Sequence, residues 1–202
     1  MKKLFFIWLL VLVTIGAFSQ NVAEHLSFMG IPINGTVTQF QNKLLSKGCV
    51  LDKAISQSLN VGCRAFKGKF VGDKVDIYVY YNETTKNVYR VKAVVSGVSE
   101  NLADQEYEKI KRMLLTKYGS DFCTYGTQAD KEAFSVLVAS ENLADDIDSS
   151  LSLSANGFKG EVDLFISKDD SAIRYPFWYN LHIDYIDAIN NEKHQSQSLE
   201  DI

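Results

Sequence analysis

Residues that commonly carry catalysis or bind metals are scarce in this chain. It has three cysteines and three histidines among 202 residues. No CxxC or Cys/His spacing occurs, which excludes the common zinc-site patterns. The sequence also lacks GxSxG, HExxH, a P-loop and a glycine-rich dinucleotide turn. We therefore expect no catalytic residue, no metal site and no cofactor.

A basic surface is also lacking, since the chain carries 21 basic and 25 acidic residues. Nucleic-acid affinity comes largely from the neutralisation of phosphates by lysine and arginine. An acidic chain has no such electrostatic footprint. We exclude nucleic acid as a partner.

The longest apolar run lies at the N-terminus, and its surroundings are typical of a secretory signal peptide. A basic pair precedes the run over 4–13, and small residues follow it just before Gln20. The run is too short for a membrane-spanning helix, which needs about 20 residues. We predict a signal peptide over 1–19 and a soluble mature protein, periplasmic or secreted, with no membrane span after cleavage.

All three cysteines, Cys49, Cys63 and Cys123, lie after the predicted cleavage site. In an oxidising compartment an odd number permits one disulfide at most. A Cys49–Cys63 bridge would close a short loop and stabilise the fold by about 3 kcal/mol. The alternative is that all three are small buried side chains.

Two segments have apolar residues at helical spacing. A capping box formed by Thr36 and Gln39 starts a helix that we predict over 36–47. A second helix is predicted from an Asn101 cap to Gly119.

Elsewhere apolar residues alternate with polar ones, which predicts strands. The predicted strands cover 63–70, 75–81, 88–96, 133–139, 159–167 and 178–187. The pattern predicts an α+β fold of two helix-plus-antiparallel-meander units, over 20–98 and 99–189, with the helices packed on one sheet face. The polar residues 190–202 are expected to form a disordered tail.

Two successive units suggest an internal duplication. Two pieces, 66–68 and 75–79, recur with a gap within 158–166. A competing match pairs 99–104 with 140–145 in a different register. The alternative interpretation is that the two segments are alike because helix N-termini favour the same residues, without any duplication.

Polar pairs and clusters supply the only candidate chemistry. His182 and Asp184 are two residues apart in a predicted strand, so they share a face and could bind a proton or, with a third ligand, a metal. This supports an alternative function, a periplasmic hydrolase or metal-dependent enzyme, against the interpretation of an ordinary polar strand face. The acidic run Asp145, Asp146 and Asp148 lacks the ligand spacing of a calcium loop, and we interpret it as a solvated loop.

The outward faces of the predicted strands are rich in aromatic and charged side chains. Because the helices cover one sheet face, the other remains open. Protein interfaces favour tyrosine, tryptophan and arginine, although cross-strand pairing of aromatics is the alternative explanation. We expect four of them to be adjacent and partly exposed, framed by Asp163 and His182; these are Tyr78, Tyr80, Arg90 and Trp178. The predicted binding face comprises Tyr78, Tyr80, Arg90, Lys92, Asp163, Phe165, Trp178, His182 and Asp184.

Three local motifs carry a family resemblance: Phe-x-Gly-Ile-Pro over 28–32, the segment 30–36, and the hairpin over 80–85. With the repeated helix and meander, the chain resembles the β-lactamase-inhibitor-protein-like fold and the outer-membrane-assembly lipoprotein domain. It is also similar to other exported bacterial proteins, and a PepSY-type helix and sheet is the second choice. The resemblance implies a non-enzymatic module that binds a protein or peptide on its sheet face, in the cell envelope or outside the cell. The inhibitor proteins carry two disulfides, which three cysteines cannot supply.

Overall fold

The computed structural model describes residues 25–128, 130–140, 157–169 and 178–200. The predicted signal peptide lies outside these residues. The acidic run over 145–148 also lies outside the described residues. So do residues 141–145 of the competing sequence match.

Four helices occur in the described part of the chain. They are α1 (Val37–Ser46), α2 (Lys53–Ser58), α3 (Glu100–Tyr118) and α4 (Ala188–Glu200). The predicted capping box starts α1: the Thr36 side chain accepts from the Gln39 amide, and the Gln39 side chain accepts from the Thr36 amide. α3 ends at Gly119 as predicted, but its N-cap is Ser99 and not Asn101.

Ten strands occur in the same residues. They are β1 (Ser27–Phe28), β2 (Ile31–Pro32), β3 (Val50–Leu51), β4 (Cys63–Phe70), β5 (Asp73–Tyr81), β6 (Val88–Ser99), β7 (Cys123–Gln128), β8 (Lys131–Ala139), β9 (Phe158–Lys168) and β10 (Trp178–Asp187). β1 and β2 form a hairpin. The other eight form one antiparallel sheet in the order β3-β4-β5-β6-β10-β9-β8-β7.

The two predicted meanders join into this single sheet because their last strands, β6 and β10, pair with each other. Apolar stripes of α1 and α3, including Phe40 and Ile110, pack with alternate strand residues such as Ile77 and Leu164 in one buried cluster. This confirms the α+β fold with helices packed against an antiparallel sheet. The short α2 buries none of its residues and lies beside β4.

The prediction of a disordered tail is wrong, because α4 occupies most of that segment. Asn190 Nδ2 donates to the carbonyls of Ile33 at 3.0 Å and Val88 at 2.8 Å. The His194 ring stacks on Tyr89 with centroids 4.0 Å apart. Tyr89 lies where the register between β5 and β6 shifts, and it is half-buried. Polar contacts thus hold a helix whose sequence lacks an apolar stripe.

The predicted Cys49–Cys63 disulfide is absent, and all three cysteines are free thiols. Cys49 packs against Gly68 on the helix side of β4, where a Cβ on the glycine would lie 2.8 Å from the Cys49 sulfur. Cys63 pairs with Tyr80 on the opposite side, and burial raises the pKa of its thiol to about 11. No bridge forms because the two side chains lie on opposite faces of one sheet.

The sequence match between the two units does not follow the strands. Segments 66–68 and 75–79 lie on two consecutive strands, β4 and β5, whereas 158–166 lies within β9 alone. The matched pieces therefore occupy different positions in the sheet. This match gives no support to an internal duplication.

Candidate binding face

We call the side of the eight-stranded sheet opposite α1 and α3 the open face. The antiparallel register aligns its side chains in three rows across β4, β5, β6, β10, β9 and β8. Eight of the nine predicted binding residues belong to these rows. The first row is Cys63, Tyr80, Arg90, Ile186, Glu161 and Leu137; the second is Ala65, Tyr78, Lys92, Asp184, Asp163 and Ser135; the third is Lys67, Asp76, Val94, His182, Phe165 and Ala133.

The part of the open face on β5, β6 and β10, here the filled half, is closed by its own side chains. Arg90 donates to both carboxylate oxygens of Asp184, with Nε 2.8 Å from Oδ1, and Lys92 Nζ lies 3.5 Å from the same carboxylate. The Arg90 guanidinium also lies 5.0 Å from the centre of the Tyr80 ring. Burial raises the pKa of Tyr80 to about 12. Arg90 and Lys92, the two cations in the three rows of the filled half, are therefore already paired.

Asp184 does not face solvent as predicted, because it is only 1% exposed beneath the two cations. The neighbouring His182 Nε2 lies 2.8 Å from Ser167 Oγ. The imidazole stacks on Phe165 with centroids 4.6 Å apart. His182 Nδ1 is buried without a hydrogen-bond partner, so no hydrogen bond joins it to Asp184.

The environment does not join His182 and Asp184, the two residues of the enzyme alternative, by a hydrogen bond. Burial, and then the nearby Lys92 charge, lower the pKa of His182 to about 4, so the imidazole is neutral at physiological pH. The Asp184 carboxylate is engaged by Arg90 and Lys92. Across the described ranges no group of three His, Cys, Asp or Glu side chains is placed to hold a metal.

The part of the open face on β7, β8 and β9, here the hollow half, contains a cavity of about 360 Å³. Gly126, Ala133 and Ser135 line it with small groups, and Phe165 of β9 adds an aromatic ring. A Cβ added at Gly126 would meet no atom within 4 Å. The cavity exists because two neighbouring strands present small residues beside the larger side chains of β9.

Two carboxylates, Glu161 and Asp163, also line the cavity. Ser135 Oγ donates to the Glu161 carboxylate, which draws that group towards β8. Burial, and then the charges of Glu161 and Asp184, raise the pKa of Asp163 to about 6. The cations nearest in the rows are paired with Asp184, and no ion pair joins either cavity carboxylate to a cation in the described part of the chain. The cavity therefore carries carboxylates that no described cation neutralises.

β7 is an edge of the sheet, and no strand among the described residues pairs with its outer side. The Leu137 amide donates to the Phe122 carbonyl. Alternation then directs the backbone N–H and C=O groups of Cys123, Tyr125 and Thr127 away from β8. The strand has no charged residue, proline or bulge, which are the usual devices that block edge pairing. Within the described residues this edge is open to an added strand.

Trp178 lies apart from the other predicted binding residues. It pairs with Ser99, whereas Arg90 pairs with Ile186, eight positions farther along β10. That separation is about 26 Å. The Trp178 ring covers Gly97 and the residue is 42% exposed. The predicted adjacency of the tryptophan to the tyrosines and Arg90 is therefore wrong.

Sequence patterns did not predict β7, and they gave no role to Gly126 or Glu161. All of β7 after Cys123 is exposed, so the strand lacks the apolar alternation that reveals a half-buried strand. Glu161 lies in a predicted strand, but its role depends on its neighbours across the sheet. The one sequence feature that could have indicated β7 is the mostly small and polar segment between Gly119 and the strand predicted from residue 133.

Comparison of the chain with family models, curated proteins and solved structures found no match. No helix in the described residues is long and apolar enough to cross a membrane. The resemblance to the β-lactamase-inhibitor-protein-like fold stays a prediction, and function is inferred from the open face.

Proposed function

We propose that the protein is an exported, non-enzymatic binding module whose open face takes up a protein or peptide partner in the cell envelope or outside the cell, without a cofactor. The cavity of the hollow half is the observation that carries this proposal. It combines an aromatic wall, small groups and two carboxylates. Aromatic and polar groups around a recess are typical of interface hot spots.

The filled half supports the proposal as a rigid platform. The bidentate ion pair between Arg90 and Asp184 fixes both side chains. The stacked His182 and Phe165 rings fix the border between the two halves. A surface that is already ordered loses little conformational entropy on binding. The open face is therefore suited to a partner that docks without rearranging the sheet.

Export is part of the proposal, and it rests on the sequence over 1–19. The protein recovered from the periplasm or medium should begin at Gln20, as measured by intact mass spectrometry. Recovery of a cytoplasmic chain that still begins at Met1 would contradict export.

Capture from envelope and culture extracts tests the binding function. The immobilised wild-type chain is compared with Phe165→Ala and Tyr80→Ala, one change in each half of the open face. Met113→Ala is the control, because that apolar side chain is exposed on α3, on the opposite side of the sheet. A test variant that removes a side chain at the centre of the interface should weaken partner binding by about 2 kcal/mol, roughly thirtyfold. Equal capture by all four proteins would refute binding through this face.

A further inference from the structure

We propose that the outer edge of β7 takes up an extended segment of a partner protein, and that a lysine or arginine of this segment lies across Gly126 to reach Glu161. This inference rests on the proposed binding function and names the chemistry of the partner. It joins three features of the hollow half: an unpaired strand edge, a recess with a small-residue floor, and carboxylates without a cation.

The strand edge supplies the backbone contacts. Cys123, Tyr125 and Thr127 direct their N–H and C=O groups outward, so an added strand would form a regular ladder. The register between β7 and β8 has no shift, and the strand carries no charge that would repel a partner. The opposite edge of the sheet differs, because β3 and α2 lie against β4 there.

The recess supplies a path from this edge to the carboxylates. An added strand would lie two strand spacings from β8, about 9.5 Å. The hydrogen bond from Ser135 holds the Glu161 carboxylate near β8. In the register, Gly126 lies opposite Ala133, and Thr124, the neighbouring open-face residue of β7, lies opposite Ser135. A straight path to the Glu161 carboxylate therefore crosses the Thr124 side chain, whereas the path over Gly126 and the small Ala133 runs diagonally and is longer. Arginine, the longer of the two basic side chains, is the better suited to this diagonal path.

Charge identifies the occupant as a basic segment of another protein. Glu161 and Asp163 have no cationic partner in the described residues, and a lysine or arginine would neutralise them. A second copy of this chain could offer its own β7, but Cys123–Gln128 contains no basic residue. Self-pairing would therefore leave the carboxylates uncompensated.

Peptide selection tests the proposal on the full chain. A phage library of random ten-residue peptides is selected on the wild-type protein, and the best binder is synthesised for titration calorimetry. Gly126→Ile fills the recess, Thr127→Pro removes an outward N–H, and Glu161→Gln removes the charge while keeping an acceptor for Ser135. Thr127→Ile is the matched control, since it retains the N–H and faces away from the recess.

The expected result is enrichment of peptides with a basic residue. Each of the three test variants should weaken binding at least tenfold, and Thr127→Ile should bind like the wild type. Replacement of the peptide's basic residue by methionine should cost a similar factor. Sedimentation should show a wild-type monomer.

Three outcomes would overturn the proposal. Peptides that bind all three variants normally but lose affinity for Tyr80→Ala would place the partner on the filled half, and the binding function itself would stand. If no peptide is enriched, the proposal of an extended segment as partner is refuted. The binding function itself would still be tested by capture from extracts. A wild-type dimer that Thr127→Pro converts to a monomer would show that a second copy occupies the edge.

Discussion

The strands of the filled half and the strands β8 and β9 of the hollow half show the same alternation of apolar and polar residues, yet they form different surfaces. In the filled half, long cations on β6 lie between the tyrosines of β5 and the buried Asp184 of β10. In the hollow half, Phe165 and Asp163 of β9 are paired across the sheet with Ala133 and Ser135. Those small partners cannot cover them.

The size and charge of the cross-strand neighbour therefore decide what a polar strand face does. Where a carboxylate faces arginine and lysine, the surface closes and the pair is desolvated. Where a carboxylate faces serine, as Asp163 faces Ser135, no described cation compensates its charge. This comparison assigns stability to the filled half and binding to the hollow half, and mutations can test each assignment.

The largest expected effect is on the filled half. Arg90→Ala should lower the free energy of unfolding by about 3 kcal/mol, because it leaves the buried Asp184 with Lys92 alone at 3.5 Å. Urea denaturation measures this change. The double variant with leucine at both positions of the Arg90–Asp184 pair should recover most of the loss. A single-variant cost below about 1 kcal/mol would show that the ion pair does not stabilise the sheet.

A smaller effect of opposite sign is expected in the hollow half. The pKa of Asp163 is raised to about 6 by burial and by the charges of Glu161 and Asp184. The folded state therefore holds a proton that the unfolded state releases near pH 4, and wild-type stability falls as pH rises between about 4 and 6. Asp163→Asn removes this loss and should stabilise the protein by about 1–2 kcal/mol at pH 7, after allowance for solvent screening.

The control for this variant is pH itself. At pH 4 both proteins carry a neutral side chain at position 163 and should unfold at nearly the same urea concentration. An Asp163→Asn protein that is less stable than the wild type at pH 7 would mean that the carboxylate already has a stabilising partner.

The smallest expected effect concerns the floor of the cavity. Gly126→Ile should leave the free energy of unfolding unchanged or raise it by up to about 1 kcal/mol, because glycine weakens a strand and the space above it is empty. Thr127→Ile, on the other side of β7, provides the comparison. A loss of more than about 1 kcal/mol at position 126 alone would show that the recess is smaller than described.

Local patterns predicted much of the fold. The strands β4 and β10 have their predicted bounds, and the capping box starts α1, because each depends on neighbouring residues only. The pairing of β6 with β10 was not predictable in this way, since it joins segments about 90 residues apart and alternation does not encode register. The burial of Asp184 follows from that pairing.

The sequence predicted which residues share the open face, but not how they interact with one another. Alternation placed Tyr80, Arg90, Asp163 and Phe165 on one face, and the register confirms that they share it. It could not distinguish the paired cations from the unpaired carboxylates. The strand β7 escaped prediction because exposure of both its faces removes the hydrophobic period.

Amide hydrogen exchange with and without the selected peptide tests most directly whether the partner docks on the hollow half. The outward amides of Cys123, Tyr125 and Thr127 should exchange freely in the unbound protein and become protected on binding. Amides of the filled half, on β5 and β6, should not change. Protection confined to β5 and β6, with the three outward amides of β7 still exchanging freely, would contradict the account.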